Sequence, residues 1–284
     1  MTADTVLVVG STGTQGGAVA RNLLERDVEV LALTRDTDKP EAHQLAERGA
    51  EIVEGDISEK NAIEPLIENA DGVFCVTNFW EHGYEDEVEQ GTNVAELAAE
   101  VGVDHFVFSS VGGAERDTGI SHFDSKWEIE ERIRDLELPA TVVRPVFFMQ
   151  NLEGFRESIE EGTLAMGLEP REPLQMLDID NMGAFVANAF QDPDRYLDEA
   201  YELASDELTL RSMAVRFADA LGTEVRAQNL SIDDVEEHQG EEYADMFAWF
   251  NDYGYESPIA DLQADHHVVF SRLEEYLARE WSGT

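Results

Sequence analysis

The sequence predicts an α/β protein, a parallel sheet wound with helices on both faces, and three observations lead there. Short apolar runs alternate with longer stretches of helical periodicity through the first half of the chain. Most of these apolar runs end in a turn that contains Gly, Thr, Asn or Ser, and the 284 residues, 43% hydrophobic, can bury a full core without disulfide staples.

The first strand is Val6 to Val9, four apolar residues with no polar alternation, as expected where helices cover both faces. Gly10 closes it, Gly13 and Gly16 follow at three-residue intervals, and from Gln15 the pattern turns helical with Val19 and Leu23 on one face. Strand, glycine turn and helix together form a loop that a diphosphate can approach: bare backbone, free N–H groups and the positive end of a helix. A flexible linker would also be glycine-rich, but it would not lie between a buried strand and an amphipathic helix.

The charge balance is lopsided, with 62 acidic against 19 basic residues and a formal net charge of −43. The carboxylates are spread through every predicted helix, so they coat a folded surface instead of forming a tail. Their mutual repulsion fades when the Debye length shrinks to about 3 Å near molar salt, which suits a halophilic cytoplasm. The same field repels a polyanion, and without a Lys/Arg cluster direct nucleic-acid binding is not expected. No apolar run reaches 18 residues and no charged-then-apolar leader opens the sequence, so a cytoplasmic chain with no membrane partner is expected. The single cysteine, Cys75, falls in an apolar strand and reads as a buried thiol. Only Lys39, Lys60 and Lys126 are lysines, against sixteen arginines, which gives each lysine weight.

The second strand, Val28 to Leu33, runs into Thr34-Arg35-Asp36. In a dinucleotide fold this end meets the adenosine ribose, where an arginine suits a 2′-phosphate and a carboxylate a 2′-hydroxyl. Arg35 and Lys39 make the place cationic and favour NADP over NAD. Asp36 argues the other way, and Arg35 as a solvated surface charge is the bland alternative. Glu51 to Glu54 is a third strand, followed by Gly55-Asp56-Ile57 at the adenine end. Val73 to Val76 is the fourth, leading into Thr77-Asn78-Phe79-Trp80, which either flanks the cofactor or is an ordinary turn. Glu85 to Val101 forms a helix with Val88, Val94, Leu97 and Val101 inward, and strands at His105 to Phe108 and Ala140 to Val143 complete a Rossmann-type, doubly wound domain over residues 1–150. Residues 151–284 are expected to form a smaller α+β lobe, interleaved with the first domain and covering its cleft.

The runs G-S-T-G-T-Q-G-G, T-R-D, G-D-I, V-T-N-F-W-E, F-V-F-S-S-V, H-F-D-S-K and V-R-P-V-F-F-M-Q-N-L occur in an order and spacing similar to the NmrA-like family, atypical members of the short-chain dehydrogenase/reductase superfamily. About half the chain matches closely. That family includes NADP-sensing regulators and NAD(P)H-dependent reductases. The resemblance implies that Gly10, Thr12, Gly13, Gln15 and Gly16 hold the pyrophosphate, Arg35 the 2′-phosphate, and Asp56 and Ile57 the adenine end; Thr14 of the same loop and Lys39 are further cofactor-binding candidates. It places Thr77, Asn78, Phe79, Lys126 and Asn151 around the nicotinamide half.

Active members of the wider superfamily pair a serine after strand five with a Tyr-x-x-x-Lys helix. Here Ser109 or Ser110 fits the serine and Lys126 the lysine, but His122 stands where the tyrosine belongs. Ser109, His122 and Lys126 are therefore the catalytic candidates of a modified site, and a lysine that only holds cofactor, or a solvated helix charge, are the alternatives. Two functions fit: a cofactor-sensing regulator working through protein contacts, and an NADPH-dependent reductase of quinones or similar planar carbonyls.

In the second half, Asp180 reads as the cap of a helix over Gly183 to Phe190, Ala200 to Ala204 as a strand and Leu210 to Leu221 as a helix. The aromatics Tyr243, Phe247, Trp249, Phe250, Tyr253 and Tyr255 read as core or as a pocket lining. His238, the pair His266-His267 and Glu81-His82 lack zinc-site spacing, so no metal is expected. Neither a nucleophile elbow nor a P-loop is present.

Overall fold

The computed structural model describes residues 2–266 and 268–281. Its elements begin β1 (Thr5–Val8), α1 (Thr14–Leu24), β2 (Glu29–Thr34), α2 (Pro40–Glu47), β3 (Glu51–Glu54), α3 (Lys60–Ile67), β4 (Gly72–Val76), α4 (Phe79–His82), α5 (Tyr84–Val101), β5 (His105–Ser109), α6 (Ser121–Asp135) and β6 (Ala140–Pro145). Then follow β7 (Phe147–Phe148), α7 (Arg156–Glu160), β8 (Thr163–Met166), β9 (Pro173–Leu177), α8 (Ile179–Gln191), α9 (Pro193–Tyr196), β10 (Glu199–Leu203), β11 (Asp206–Thr209), α10 (Leu210–Leu221), β12 (Arg226–Asn229), α11 (Ile232–Gln239), α12 (Glu241–Asp252), α13 (Ile259–Asp265) and α14 (Leu273–Glu280).

Among the described residues the main sheet has seven strands in the order β10-β6-β5-β4-β1-β2-β3. Strands β3, β2, β1, β4, β5 and β6 pair parallel, the doubly wound arrangement in which the chain reverses direction across the sheet between β1 and β4. Val6 to Val8 of β1 face neighbours on both sides and are fully buried, which explains their unbroken apolar run. The core beneath them gathers Leu7, Val73, Phe106, Phe108, Ile129 and the inner face of α5, each full burial contributing about 1.5–3 kcal/mol.

The chain divides into two compact units. One comprises Met1–Asp117, Ser121–Arg144 and Met182–Tyr201; the other comprises Thr118–Ile120, Pro145–Asn181 and Glu202–Thr284. The second unit holds a three-stranded sheet, β11-β9-β7, and the parallel pair β12-β8. There the carboxylate at the start of α8 is Asp178, which accepts the Asp180 N–H at 3.3 Å, so Asp180 lies inside the first turn and is not its cap. Phe247, Trp249 and Phe250 are core residues of that unit, whereas Tyr253 of the same aromatic run is 78% exposed. In α5, Val88 and Val101 are only partly buried, and the inward stripe instead includes Glu87, Gln90, Gly91, Val94 and Ala98.

Candidate functional site

The loop between β1 and α1 lies at the carboxyl end of β1, where the sheet's direction reverses and open α/β sheets form a crevice. Gly10 adopts φ +69°, and a Cβ there would stand 2.9 Å from Val76 Cγ1 of β4. A Cβ on Gly16 would fall 2.3 Å from the Gly10 carbonyl oxygen, a backbone atom that cannot yield. The Gly13 N–H donates to the Gly10 carbonyl at 2.9 Å, closing the turn, and Gly13 caps α1 without a side chain. No acidic residue occupies the first turn of α1. The cradle thus has bare backbone, a helix N-terminus and no resident carboxylate, which fits a diphosphate. Ser11 ties it to the sheet by donating to the Leu33 carbonyl at 2.8 Å, and Thr12 Oγ1 lies 3.5 Å from Thr34 Oγ1. Thr14 is exposed at the first position of α1.

At the end of β2, Arg35 is half exposed and donates to Glu81 Oε1 of α4 at 2.6 Å, with His82 Nε2 at 3.4 Å. The hydrogen bond from Arg35 holds the Glu81 carboxyl below its ordinary range. Lys39 is exposed at the N-cap of α2. Asp56 accepts the Ser58 hydroxyl at 2.6 Å and the Ser58 N–H at 2.9 Å, bonds that lower its pKa and shape the turn after β3. Ile57 packs on the core, and its carbonyl accepts from Asn93 at 3.4 Å.

The ends of β4 and β5 meet α6 in a buried polar knot. Lys126 is 8% exposed and is not a solvated helix charge. Its Nζ donates to the Thr77 carbonyl at 3.1 Å and to Thr77 Oγ1 at 2.7 Å, and lies 2.9 Å from Glu87 Oε1. Glu87 is completely buried and also accepts from Thr77 Oγ1 at 2.9 Å and from the Ser125 hydroxyl. Beneath it Cys75 is sealed in the core, where desolvation pushes its thiol up to about 12. Ser109 donates to the Gln15 side-chain oxygen at 2.6 Å, joining the end of β5 to the glycine loop. Ser110 is buried, and its Oγ has no hydrogen-bond partner among the described residues.

One turn before Lys126, the His122 ring packs at 5.8 Å from Phe79, 5.2 Å from Trp80 and 4.7 Å from Phe123. Phe79 and Trp80 meet edge-on at 5.5 Å, and Trp80 is 53% exposed. Asn78 is exposed at the N-cap of α4. The structure thus gathers Gly10–Gly16, Thr77, Ser109, His122 and Lys126 in one unit, while Asn151 is an exposed residue of the other. Glu87 and Ser125 were not singled out from the sequence. Glu87 had a signal all the same, since it sits at helical spacing from Gln90, Gly91 and Val94 on the inward stripe of α5. Among the described residues no group of three His, Cys, Asp or Glu is placed to hold a metal, and His267 lies outside them. No helix among them is long and apolar enough to cross a membrane.

A parallel sheet with a glycine cradle at its reversal point and polar residues at the neighbouring strand ends defines a doubly wound α/β protein of the dinucleotide-fold class. The chain belongs to the NmrA-like family, whose model matches residues 2–277. An NmrA-like family domain-containing protein of Dictyostelium discoideum is 30% identical over 294 residues, covering 96% of this chain and 97% of that one. Among solved structures, the triphenylmethane reductase of Citrobacter sp. complexed with NADP(H) superposes with a TM-score of 0.85 at 19% identity, covering 97% of this chain and 99% of its own. Nmra, a negative transcriptional regulator in complex with NAD, gives a TM-score of 0.81 at 17% identity over 99% of this chain and 96% of its own. At these identities the two structures share the fold.

Proposed function

We propose that this chain binds NADP(H) on the glycine cradle and reports the state of that pool to a protein partner. The observation that carries this reading is where the catalytic candidates are engaged: Lys126 and Ser109 are both bonded to other side chains, and a histidine stands at the tyrosine position. The ammonium of Lys126 is directed at Thr77 and Glu87, the Ser109 hydroxyl at Gln15, and an imidazole packed among aromatic rings replaces the tyrosine. Dinucleotide binding itself is supported by the fit of the cradle and by the two solved structures, which hold NADP(H) and NAD.

A bound reduced dinucleotide would carry a transferable hydride; what the chain's own residues would supply is its placement. The turn Gly10–Gly13 offers bare backbone to the diphosphate, and Arg35 with Lys39 offers positive charge to a 2′-phosphate, which favours NADP over NAD. Asp56 and Ile57 border the adenine end. Thr77, Asn78 and Phe79 border the nicotinamide half, with Lys126 behind Thr77. With a net charge of −43 the surface repels nucleic acid, so regulation runs through protein contacts.

A second reading has its own observation. Phe79, Trp80 and His122 form a partly exposed aromatic shelf beside Lys126, on which a planar quinone or similar carbonyl compound would stack, and the unpartnered Ser110 hydroxyl would serve such an acceptor. NADPH consumption in molar potassium chloride against a panel of quinones separates the two. The sensor reading expects no turnover above background at saturating cofactor, and sustained turnover replaces it with the reductase reading.

A further inference from the structure

A carboxylate sealed from water beneath a lysine is costly to place, because each charge must be desolvated and only good geometry with further hydrogen bonds compensates. Glu87 meets those conditions. One oxygen lies 2.9 Å from Lys126 Nζ and accepts from Thr77 Oγ1 at 2.9 Å, and the other accepts the Ser125 hydroxyl. Thr77 Oγ1 in turn accepts from Lys126 at 2.7 Å, so Lys126, Thr77 and Glu87 form a closed ring of bonds to which Ser125 is attached through Glu87. The ring joins the end of β4, α5 and α6, and its members have almost no contact with solvent. An internal brace alone would not need ions, since an apolar set of similar volume commonly holds such elements together as well or better.

What the carboxylate changes is the field at the end of β4. Without it, Lys126 would present a full positive charge, weakly screened, to whatever lies against Thr77 and Phe79. The two redox forms of a nicotinamide differ by one charge at the ring: the oxidised ring is cationic and the reduced ring neutral. A lone ammonium would therefore repel the oxidised form selectively, whereas an ammonium paired with a buried carboxylate acts as a compact dipole of zero net charge.

We propose that Glu87 is a positioning residue that cancels the charge of Lys126 and thereby lets the site hold the oxidised and reduced dinucleotides with comparable affinity. This inference rests on the dinucleotide reading above. It gives that reading a physical form: two forms of comparable affinity compete for one site, and the fraction of chains carrying each then follows their ratio in the pool.

The test is calorimetric titration of the full chain with NADP+ and with NADPH, for wild type and Glu87→Gln, alongside circular dichroism to establish the fold. Wild type is expected to bind the two forms within about threefold of each other. Glu87→Gln is expected to weaken NADP+ relative to NADPH by about tenfold, the scale of one uncompensated charge acting over roughly 10 Å at an effective dielectric near 20. Glu87→Gln/Lys126→Met, which removes both charges, is expected to return the ratio to the wild-type value, and it takes the place of the single variant if that does not fold. A folded Glu87→Gln with the wild-type ratio, or a double variant whose ratio departs from it, overturns the proposal and leaves dinucleotide binding standing. If wild type binds neither form, the dinucleotide reading itself fails, and this inference with it.

Discussion

Replacing Lys126 by Met keeps the length of the side chain and removes its charge, leaving the Glu87 carboxylate in the core with only the Thr77 and Ser125 hydroxyls for company. Breaking a buried pair in this way costs about 3–5 kcal/mol, because the surviving charge keeps its desolvation penalty and loses its partner. With an unfolding entropy of about 2.1 cal/mol/K per residue, the 284-residue chain has a temperature sensitivity of roughly 0.6 kcal/mol per kelvin. The expected fall in melting temperature is then about 5–8 °C. A lysine on a solvated helix face would instead give a change within about 0.5 kcal/mol, below 1 °C. Differential scanning calorimetry in molar potassium chloride distinguishes these outcomes. The Glu87→Gln partner variant completes a cycle in which the two losses must fail to add, since both residues belong to one network. A Lys126→Met protein that melts within 1 °C of wild type would refute the reasoning.

Other residues give separate tests. Gly16→Ala would place a Cβ against the Gly10 carbonyl, so the loop must shift; dinucleotide affinity is expected to fall at least about tenfold, and unchanged binding by calorimetry would remove the cradle from the site. Arg35→Ala, which also releases Glu81, is expected to weaken NADPH by about ten- to a hundredfold and NADH far less, the scale of a lost charge-assisted bond of about 1.5–3 kcal/mol; equal losses would defeat the 2′-phosphate assignment. His105 is buried at the start of β5, bonded to Thr141, and desolvation pushes its pKa down to about 4. Its neutral form is therefore favoured in the fold, and the stability it contributes is present above pH 6.5 and lost as pH falls toward 4, by up to about 3 kcal/mol. In His105→Gln that loss should vanish, so the melting difference between variant and wild type must change across this window; a constant difference would contradict it.

Much of the fold could be read from local patterns because buried parallel strands have no polar face to confuse them. β3 covers the expected Glu51–Glu54, and β1, β2, β4 and β5 lie within a residue of the expected strand edges, the small offsets arising because ladder bonding, not the last apolar side chain, decides where a strand begins and ends. The glycine cradle was legible for the same reason: each glycine answers a local constraint, as Gly10 and Gly16 show. What the sequence did not disclose was the pairing of polar groups brought together by the topology. Glu87 is one of 62 acidic residues, and nothing local distinguishes it from those on the surface except its place on the inward stripe of α5. Nor does any short-range pattern tell that Ser109 turns to Gln15, 94 positions earlier, while the Ser110 hydroxyl finds no partner among the described residues. The aromatic run after Tyr243 was ambiguous because period alone cannot separate core from pocket, and only packing shows Phe247 and Phe250 inside and Tyr253 outside.

The most direct measurement is calorimetric titration of the wild-type chain with NADPH at molar potassium chloride, where repulsion among 62 carboxylates is screened. One equivalent of NADPH should bind per chain, with an affinity that falls on Gly16→Ala. A wild-type protein that is folded in the same buffer and evolves no heat with NADPH, NADP+ or their NAD counterparts would contradict the assignment of the glycine cradle and everything derived from it.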